Sequence, residues 1–476
     1  MRAEPRRLLG SSFNLTAGLL TSAGLGFVFH LTAGRGLGPA GYGAFAAALT
    51  YAALWAIVME AGISLALIRE AAADRSRLAW MPRLALWKLG LGLSGMAGAL
   101  ASSWLTGVSP DVRLLVGIMA AAMIGLAAMR LAFAVFRVVG AFEWEAALAS
   151  FQKVLLLLLA IGALLIGSRP VGVAVAFALS YWATAAIALG RAWREVARNA
   201  GAPPEPRLPP PGFLLRVCAP LLAIDLLTGL YVKVDQIILL DLRGPEETGL
   251  YAAAARVIEA LILVVGGAMG VLFVRLAATA RQQPEVFAAH FARAWRALWV
   301  GGLILALNGW LWAASLLPVA FGPAYAPAQA PLLIMLGAVP LAYVNYLLTQ
   351  SLIATGRERF YAGGIAICAA LNVGLNLWLI PSEGASGAAW ASVATEGALL
   401  GICLLGLRGL ARSIPLGPTL WGGATSGLAS IAGGTLLAES PRWAALLAFA
   451  VSIGLWEALS PWPARRLWPA MRARRR

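Results

Sequence analysis

Charge is scarce in this chain, and acidic charge scarcer still: 12% of the 476 residues are charged, and 21 acidic residues face 37 basic ones. A soluble protein of this length carries about twice that share of charge, so a water-facing surface cannot be built from this composition. Histidine occurs twice and cysteine three times, as Cys218, Cys368 and Cys403 without paired spacing. Neither a disulfide framework nor a metal site is indicated. There is no Gly-x4-Gly-Lys-Ser/Thr loop to hold a nucleotide, which excludes direct drive by a bound nucleoside triphosphate. Polar breaks are too short to form a soluble catalytic domain, and the outer loops carry no paired Asp-x-Asp. An integral membrane glycosyltransferase or ligase is thereby disfavoured, and the chain reads as a non-enzyme.

What is present is apolar surface: 61% of residues are hydrophobic and the mean hydropathy is +0.80. A spanning helix needs about 20 mostly apolar residues. Windows of that kind fall near 12–33, 43–68, 84–106, 112–136, 146–167, 171–190, 214–241, 249–274, 297–320, 331–354, 361–380, 387–407, 416–437 and 443–461. The fold class is therefore an all-α integral membrane protein of about 14 transmembrane helices. The first window follows Arg2, Arg6 and Arg7, yet its apolar run is too long for a signal core and lacks a small-x-small cleavage site, so it is expected to stay as a helix.

Basic residues set the orientation, since Lys and Arg of short loops stay on the cytoplasmic side. With both termini cytoplasmic, the opposite side holds only Arg35, Arg113, Arg169, Arg243 and Arg442. The net charge of +16 is dispersed over loops without aromatic interleaving, so it suits anionic membrane lipids and not nucleic acid.

Residues 38–48 read Gly-Pro-Ala-Gly-Tyr-Gly-Ala-Phe-Ala-Ala-Ala, and residues 244–254 read Gly-Pro-Glu-Glu-Thr-Gly-Leu-Tyr-Ala-Ala-Ala. In the same register Arg69 falls opposite Arg275, so the chain is internally duplicated. The proline-rich stretch Ala202-Pro-Pro-Glu-Pro-Arg-Leu-Pro-Pro-Pro-Gly212 cannot be helical. The parse is an N-terminal lobe at 1–190, a cytoplasmic linker at 191–213, a C-terminal lobe at 214–410, and an extra helix pair with a basic tail at 411–476. The two lobes are pseudo-symmetric six-helix bundles. The loop at 277–296 is expected to carry a short surface helix.

Several motifs carry a resemblance along nearly the whole chain: Leu37-Gly38-Pro39-x3-Gly43-x-Phe45, Glu60-x-Gly62 with Leu67-Ile68-Arg69, Asp235-Gln236-Ile237-Ile238-Leu239, Gly249-x-Tyr251-x-Ala253-Ala254-x-Arg256, and Phe321-Gly322-Pro323-x-Tyr325. In this order they resemble the polysaccharide-biosynthesis oligosaccharide flippases of the multidrug/oligosaccharidyl-lipid/polysaccharide exporter superfamily. The resemblance implies two six-helix bundles around a cavity open alternately to either side of a bacterial inner membrane. It also implies a lipid-linked oligosaccharide on undecaprenyl pyrophosphate as cargo. With no nucleotide loop, the drive is expected from a gradient, with H+ or Na+ as coupling ion and Asp225 as a candidate site for it; polysaccharide polymerase or ligase machinery are the expected partners. Glu60 stands where the commoner family pattern has aspartate.

Ionisable residues within spans are costly unless paired or facing a cavity. Glu60, Lys88, Arg130 and Lys153 lie in the first lobe near cytoplasmic ends, and Lys88, Arg130 and Lys153 are candidates to capture the pyrophosphate. The alternative for each is a side chain snorkelling to the interface. Asp225, Lys233, Asp235, Arg256 and Glu259 form the candidate ion-coupling or gating set. Asp235 and Arg256 are placed to pair across the turn at 243–249, and Asp225 and Lys233 share a helix face. Asn345 and Asn372, with Asn308, Gln350 and Asn376, suit either sugar hydroxyls or interhelical hydrogen bonds, and Gly90, Gly92, Gly95 and Gly98 suit close helix packing. Rival transport readings are a peptidoglycan lipid-precursor flippase and a multidrug or cation antiporter; the latter would be expected to expose carboxylates rather than this Lys and Arg set.

Overall fold

The structure, a computed structural model, describes residues 5–167, 169–199, 212–279 and 283–408. The spans expected at 416–437 and 443–461, and residues 200–211 of the linker, lie outside the described residues. Among the described residues all regular structure is helical: α1 (Pro5–Glu60), α2 (Ile63–Ala73), α3 (Met81–Leu105), α4 (Pro110–Val139), α5 (Phe142–Leu165), α6 (Pro170–Asn199), α7 (Phe213–Thr279), α8 (Pro284–Phe321), α9 (Gln329–Leu336), α10 (Ala338–Ala354), α11 (Glu358–Glu383) and α12 (Ala385–Gly406), with 3-10 turns at Arg75–Trp80 and Pro323–Ala328.

The two copies of the Gly-Pro motif fold alike. Gly38 has φ 67° and ψ 175°, and Gly244 has φ 83° and ψ −178°. That combination is open essentially to glycine alone, and the following proline starts a new helix where its missing N–H costs nothing. Each motif is thus a one-residue kink joining two spans, which is why α1 and α7 run so long.

Other spans depart from the windows read in the sequence. The window 43–68 is not one helix: Ala61 (φ 41°) and Gly62 (φ 70°) break it between α1 and α2. The window 331–354 is bent by 42° between α9 and α10. The expected surface helix near 277–296 is instead continuous with the ninth span in α8, and α6 stays helical to Asn199. Eight helical stretches of the described residues are long and apolar enough to cross a membrane, or nine with the bent pair.

The chain divides into two compact units, Met1–Ala252 with Asn376–Gly384, and Ala253–Leu375 with Ala385–Arg476. In the first, α4 packs against α1, α3 and α6, and α5 against α1 and α6. Leu131, Ala132, Phe133, Ala134, Val135 and Phe136 are all buried, which covers every face of α4 there, as a central helix requires. Gly92, Gly95 and Gly98 make the α3 contacts close, since a β-carbon on Gly95 would stand 2.7 Å from Met59 Cγ and one on Gly92 3.0 Å from Ile124 Cγ1. Gly90, from which the same was expected, faces open space. In the second unit α10 packs on α8 and α12, and α9 on α8 and α12.

The α4–α5 hairpin turns at Gly140 and is clamped by Arg137, which donates from Nε (2.9 Å) and Nη2 (2.6 Å) to the carboxylate of Glu145. Glu145 is buried while Arg137 is half exposed. Arg137→Met should lower stability by about 2 kcal/mol by stranding that carboxylate. Thermal unfolding in detergent checks this, and Arg137→Met combined with Glu145→Gln should recover most of the loss.

Candidate functional site

The break after Glu60 creates the first unit's polar centre. Positive φ at Ala61 is uncommon for a residue with a β-carbon and stores about 1 kcal/mol or more of strain. It ends α1 at Glu60 and restarts the chain so that Ser64 stands on the first turn of α2. Lys88 of α3 fills the corner, its ammonium 2.7 Å from Glu60 Oε2, 2.8 Å from Ser64 Oγ and 2.9 Å from the Ala127 carbonyl oxygen of α4. Lys88 is 3% exposed and Glu60 17%. All three ammonium donors are spent on protein acceptors, so Lys88 neither snorkels to the interface nor offers a donor to cargo in this conformation. One cation holds α1, α2, α3 and α4 together.

Arg130 lies three residues beyond the Ala127 carbonyl, nine before the end of α4, or about 13 Å along the helix. Its exposed guanidinium acts electrostatically on both Lys88 and Asp225 of α7, and it has no hydrogen-bond or ion-pair partner among the described residues. Glu60, Lys88 and Arg130 are therefore gathered in one neighbourhood, and Asp225, expected in the separate ion-coupling set, joins them. Lys153 is placed separately on α5, with Nζ 3.4 Å from Tyr181 Oη and 5.5 Å from the Tyr181 ring centre.

Further along α7, Asp235 is buried and accepts from the Tyr251 hydroxyl and from the Gln236 backbone N–H; Lys233 is half-buried nearby. Arg256 pairs with Glu259 one turn on, in the second unit. Asp235 and Arg256 thus each have a partner within their own unit. Also in the second unit, Asn345 donates 2.7 Å to Glu396 Oε2 and Asn372 donates 3.4 Å to Thr395 Oγ1, so both asparagines bond neighbouring helices.

Sequence reasoning missed Ser64, the Ala127 carbonyl, Tyr181 and the Thr50–Gln236 hydrogen bond of 2.7 Å. The last had a signal: Gly43 and Thr50, and likewise Gly229 and Gln236, are small or polar residues seven apart.

The sequence pattern of the family described as polysaccharide biosynthesis protein matches residues 8–278, which hold the polar centre and both Gly-Pro kinks. The chain belongs to this family. No curated protein sequence matches it. Its fold is similar to that of the lipid II flippase MurJ in an inward closed conformation, with a TM-score of 0.76 at 11% identity over 95% of this chain and 99% of that one. It is also similar to an inward-facing multidrug resistance MATE family transporter of the MOP superfamily, at 0.66 and 15% identity over 85% and 98%. A MOP superfamily transporter from Pyrococcus furiosus, described as having a binding pocket of reverse polarity, gives 0.62 and 15% over 85% and 95%. At these identities the likeness is one of fold. The family member is thus a multi-pass membrane protein with a transporter fold.

Removing one member of the buried Lys88–Glu60 pair leaves an uncompensated charge, worth about 3–5 kcal/mol. Lys88→Met should therefore reduce folded protein in the membrane sharply, and Lys88→Gln combined with Glu60→Gln should restore it, as read by membrane levels and thermal unfolding. Equal loss in the single and double variants would contradict the pairing.

Proposed function

We propose that this protein is a flippase that moves a lipid-linked oligosaccharide of the undecaprenyl-pyrophosphate kind from the cytoplasmic to the outer leaflet of a bacterial inner membrane. It works by alternating access, drawing on an H+ or Na+ gradient, with both termini cytoplasmic, and it makes and breaks no bond. The product would pass to polysaccharide polymerase or ligase machinery.

The observation that carries the reading is Arg130: a guanidinium well inside a spanning helix, with no hydrogen-bond or ion-pair partner among the described residues, beside Lys88 and Asp225. A fixed cation in a membrane helix marks a path for charge, and a planar guanidinium suits the oxygens of a phosphate. Lys153 supplies a second cation in the same unit. With cargo absent, the Asp225 carboxylate provides the counter-charge to Arg130, so an arriving pyrophosphate replaces an internal anion and does not have to fill a void. Membership of a polysaccharide-biosynthesis family supports a saccharide on the lipid. The fold of a lipid II flippase favours a second reading, a peptidoglycan lipid precursor, whose polyprenyl pyrophosphate the same cations would suit.

Depleting the protein should cause undecaprenyl-linked glycan to accumulate facing the cytoplasm, measured by lectin or enzyme access to either side of membrane vesicles. The Arg130→Ala, Lys153→Ala double variant, at normal membrane level, should fail to clear it. Accumulation of the peptidoglycan precursor instead would select the second reading, and an unchanged lipid-linked pool would refute both.

A further inference from the structure

Within the first unit, residues 39–60 of α1 and 229–249 of α7 lie side by side in one antiparallel register. A β-carbon on Gly229 would come 2.6 Å from Ile57 Cδ1, and Thr50 Oγ1 donates to Gln236 Oε1 at 2.7 Å. At the far end a β-carbon on Gly43 would overlap the Pro245 carbonyl oxygen, and one on Gly249 the Pro39 carbonyl oxygen. From Ile57 to Thr50 to Gly43, and from Gly229 to Gln236, the step is seven residues, about 10 Å of rise, which keeps two gently crossing helices face to face.

The far end is reciprocal. The same glycine and the same proline carbonyl of each repeat copy meet across a local two-fold, backbone against backbone, with no room for any side chain. Thr50 and Gln236 are 2% and 3% exposed, so the seam is shut along this length. It stops where α1 breaks at Ala61, and Asp225 stands one turn further along α7 from Gly229. The polar cluster of Glu60, Lys88, Arg130 and Asp225 therefore lies at the inner end of the seam. The Gly-Pro end is the one that the arginine asymmetry assigns to the outside.

We propose that this seam is the outer gate and that the reciprocal Gly43–Gly249 contact is its lock, needed for the shut state and not for the folding of the unit. This rests on the alternating-access part of the reading above but not on the identity of the cargo. At the lock itself only backbone atoms meet, which suits a contact that must part and reseal, because no side chain has to be unpacked there.

The test uses a background in which Cys218, Cys368 and Cys403 are replaced by alanine, with Gln236→Cys as reporter. In intact cells a membrane-impermeant maleimide should label Cys at this position weakly, and Gly43→Val or Gly249→Val should raise labelling several-fold. Unchanged labelling in a variant present at parental membrane level would overturn the lock. Should the valine variants fail to fold, Thr50→Cys joined to Gln236→Cys by mild oxidation decides it: clearance of lipid-linked glycan should be lost on oxidation and return on reduction. A cross-linked protein that still clears places the gate elsewhere. If the unlinked parent clears no lipid-linked glycan, the cargo assignment fails, while the maleimide result still decides the gate.

Discussion

A charge in a membrane-spanning helix must be answered by another group, and in this protein the answer given to Lys88 organises everything around it. Its ammonium takes Glu60, Ser64 and a carbonyl of α4, and that arrangement exists only because α1 stops at Glu60. An unbroken helix through Ala61 and Gly62 would carry Ser64 on without the offset that lets one cation reach both residues. The strain at Ala61 is offset by the ion pair, and the ion pair by four helices that exclude water from it. Arg130, next along α4, has no such partners among the described residues, and it is this contrast with the saturated lysine on which the proposed recognition role of Arg130 rests.

Duplication supplies the second constraint. The same glycine-proline kink at Gly38 and Gly244 gives two helical hairpins of one geometry, and two copies of one surface can meet self-complementarily. Gly43 and Gly249 are the residues at that meeting. The repeat therefore does more than record the chain's history: it brings two backbones into contact at one end of a seam whose other end is the polar cluster.

Much of this was legible in the residues. Composition gave the solvent, the Gly-Pro repeat gave the internal symmetry, and the intramembrane charges singled out Glu60, Lys88 and Arg130 in one lobe, whereas Asp225 was read into the other lobe and was not expected beside them. The break at Ala61–Gly62 was not legible, because Ala, Gly and Ile are as common in membrane helices as beside them, and only tertiary pairing makes the strained turn worthwhile. Nor was the saturation of Lys88, since hydropathy places a lysine along a helix without saying what it faces. The seven-residue spacing of Gly43 and Thr50 was present in the sequence, but small residues are so frequent here that it stands out only once the opposing helix is known. Tyr251 and Glu259, which turn arithmetic did not point to, bond Asp235 and Arg256 respectively, each within its own unit.

The central claim is that an anionic lipid-linked saccharide is recognised through Arg130 and carried across. The most direct measurement is translocation by the purified protein in liposomes, comparing a saccharide on a polyprenyl pyrophosphate with the same saccharide on an uncharged polyprenol, each followed by access of an external glycosidase. The account predicts protein-dependent translocation of the pyrophosphate-linked lipid and little of the uncharged one, with Arg130→Ala removing the difference. Equal transport of both lipids, or of neither while the protein is folded, would contradict it.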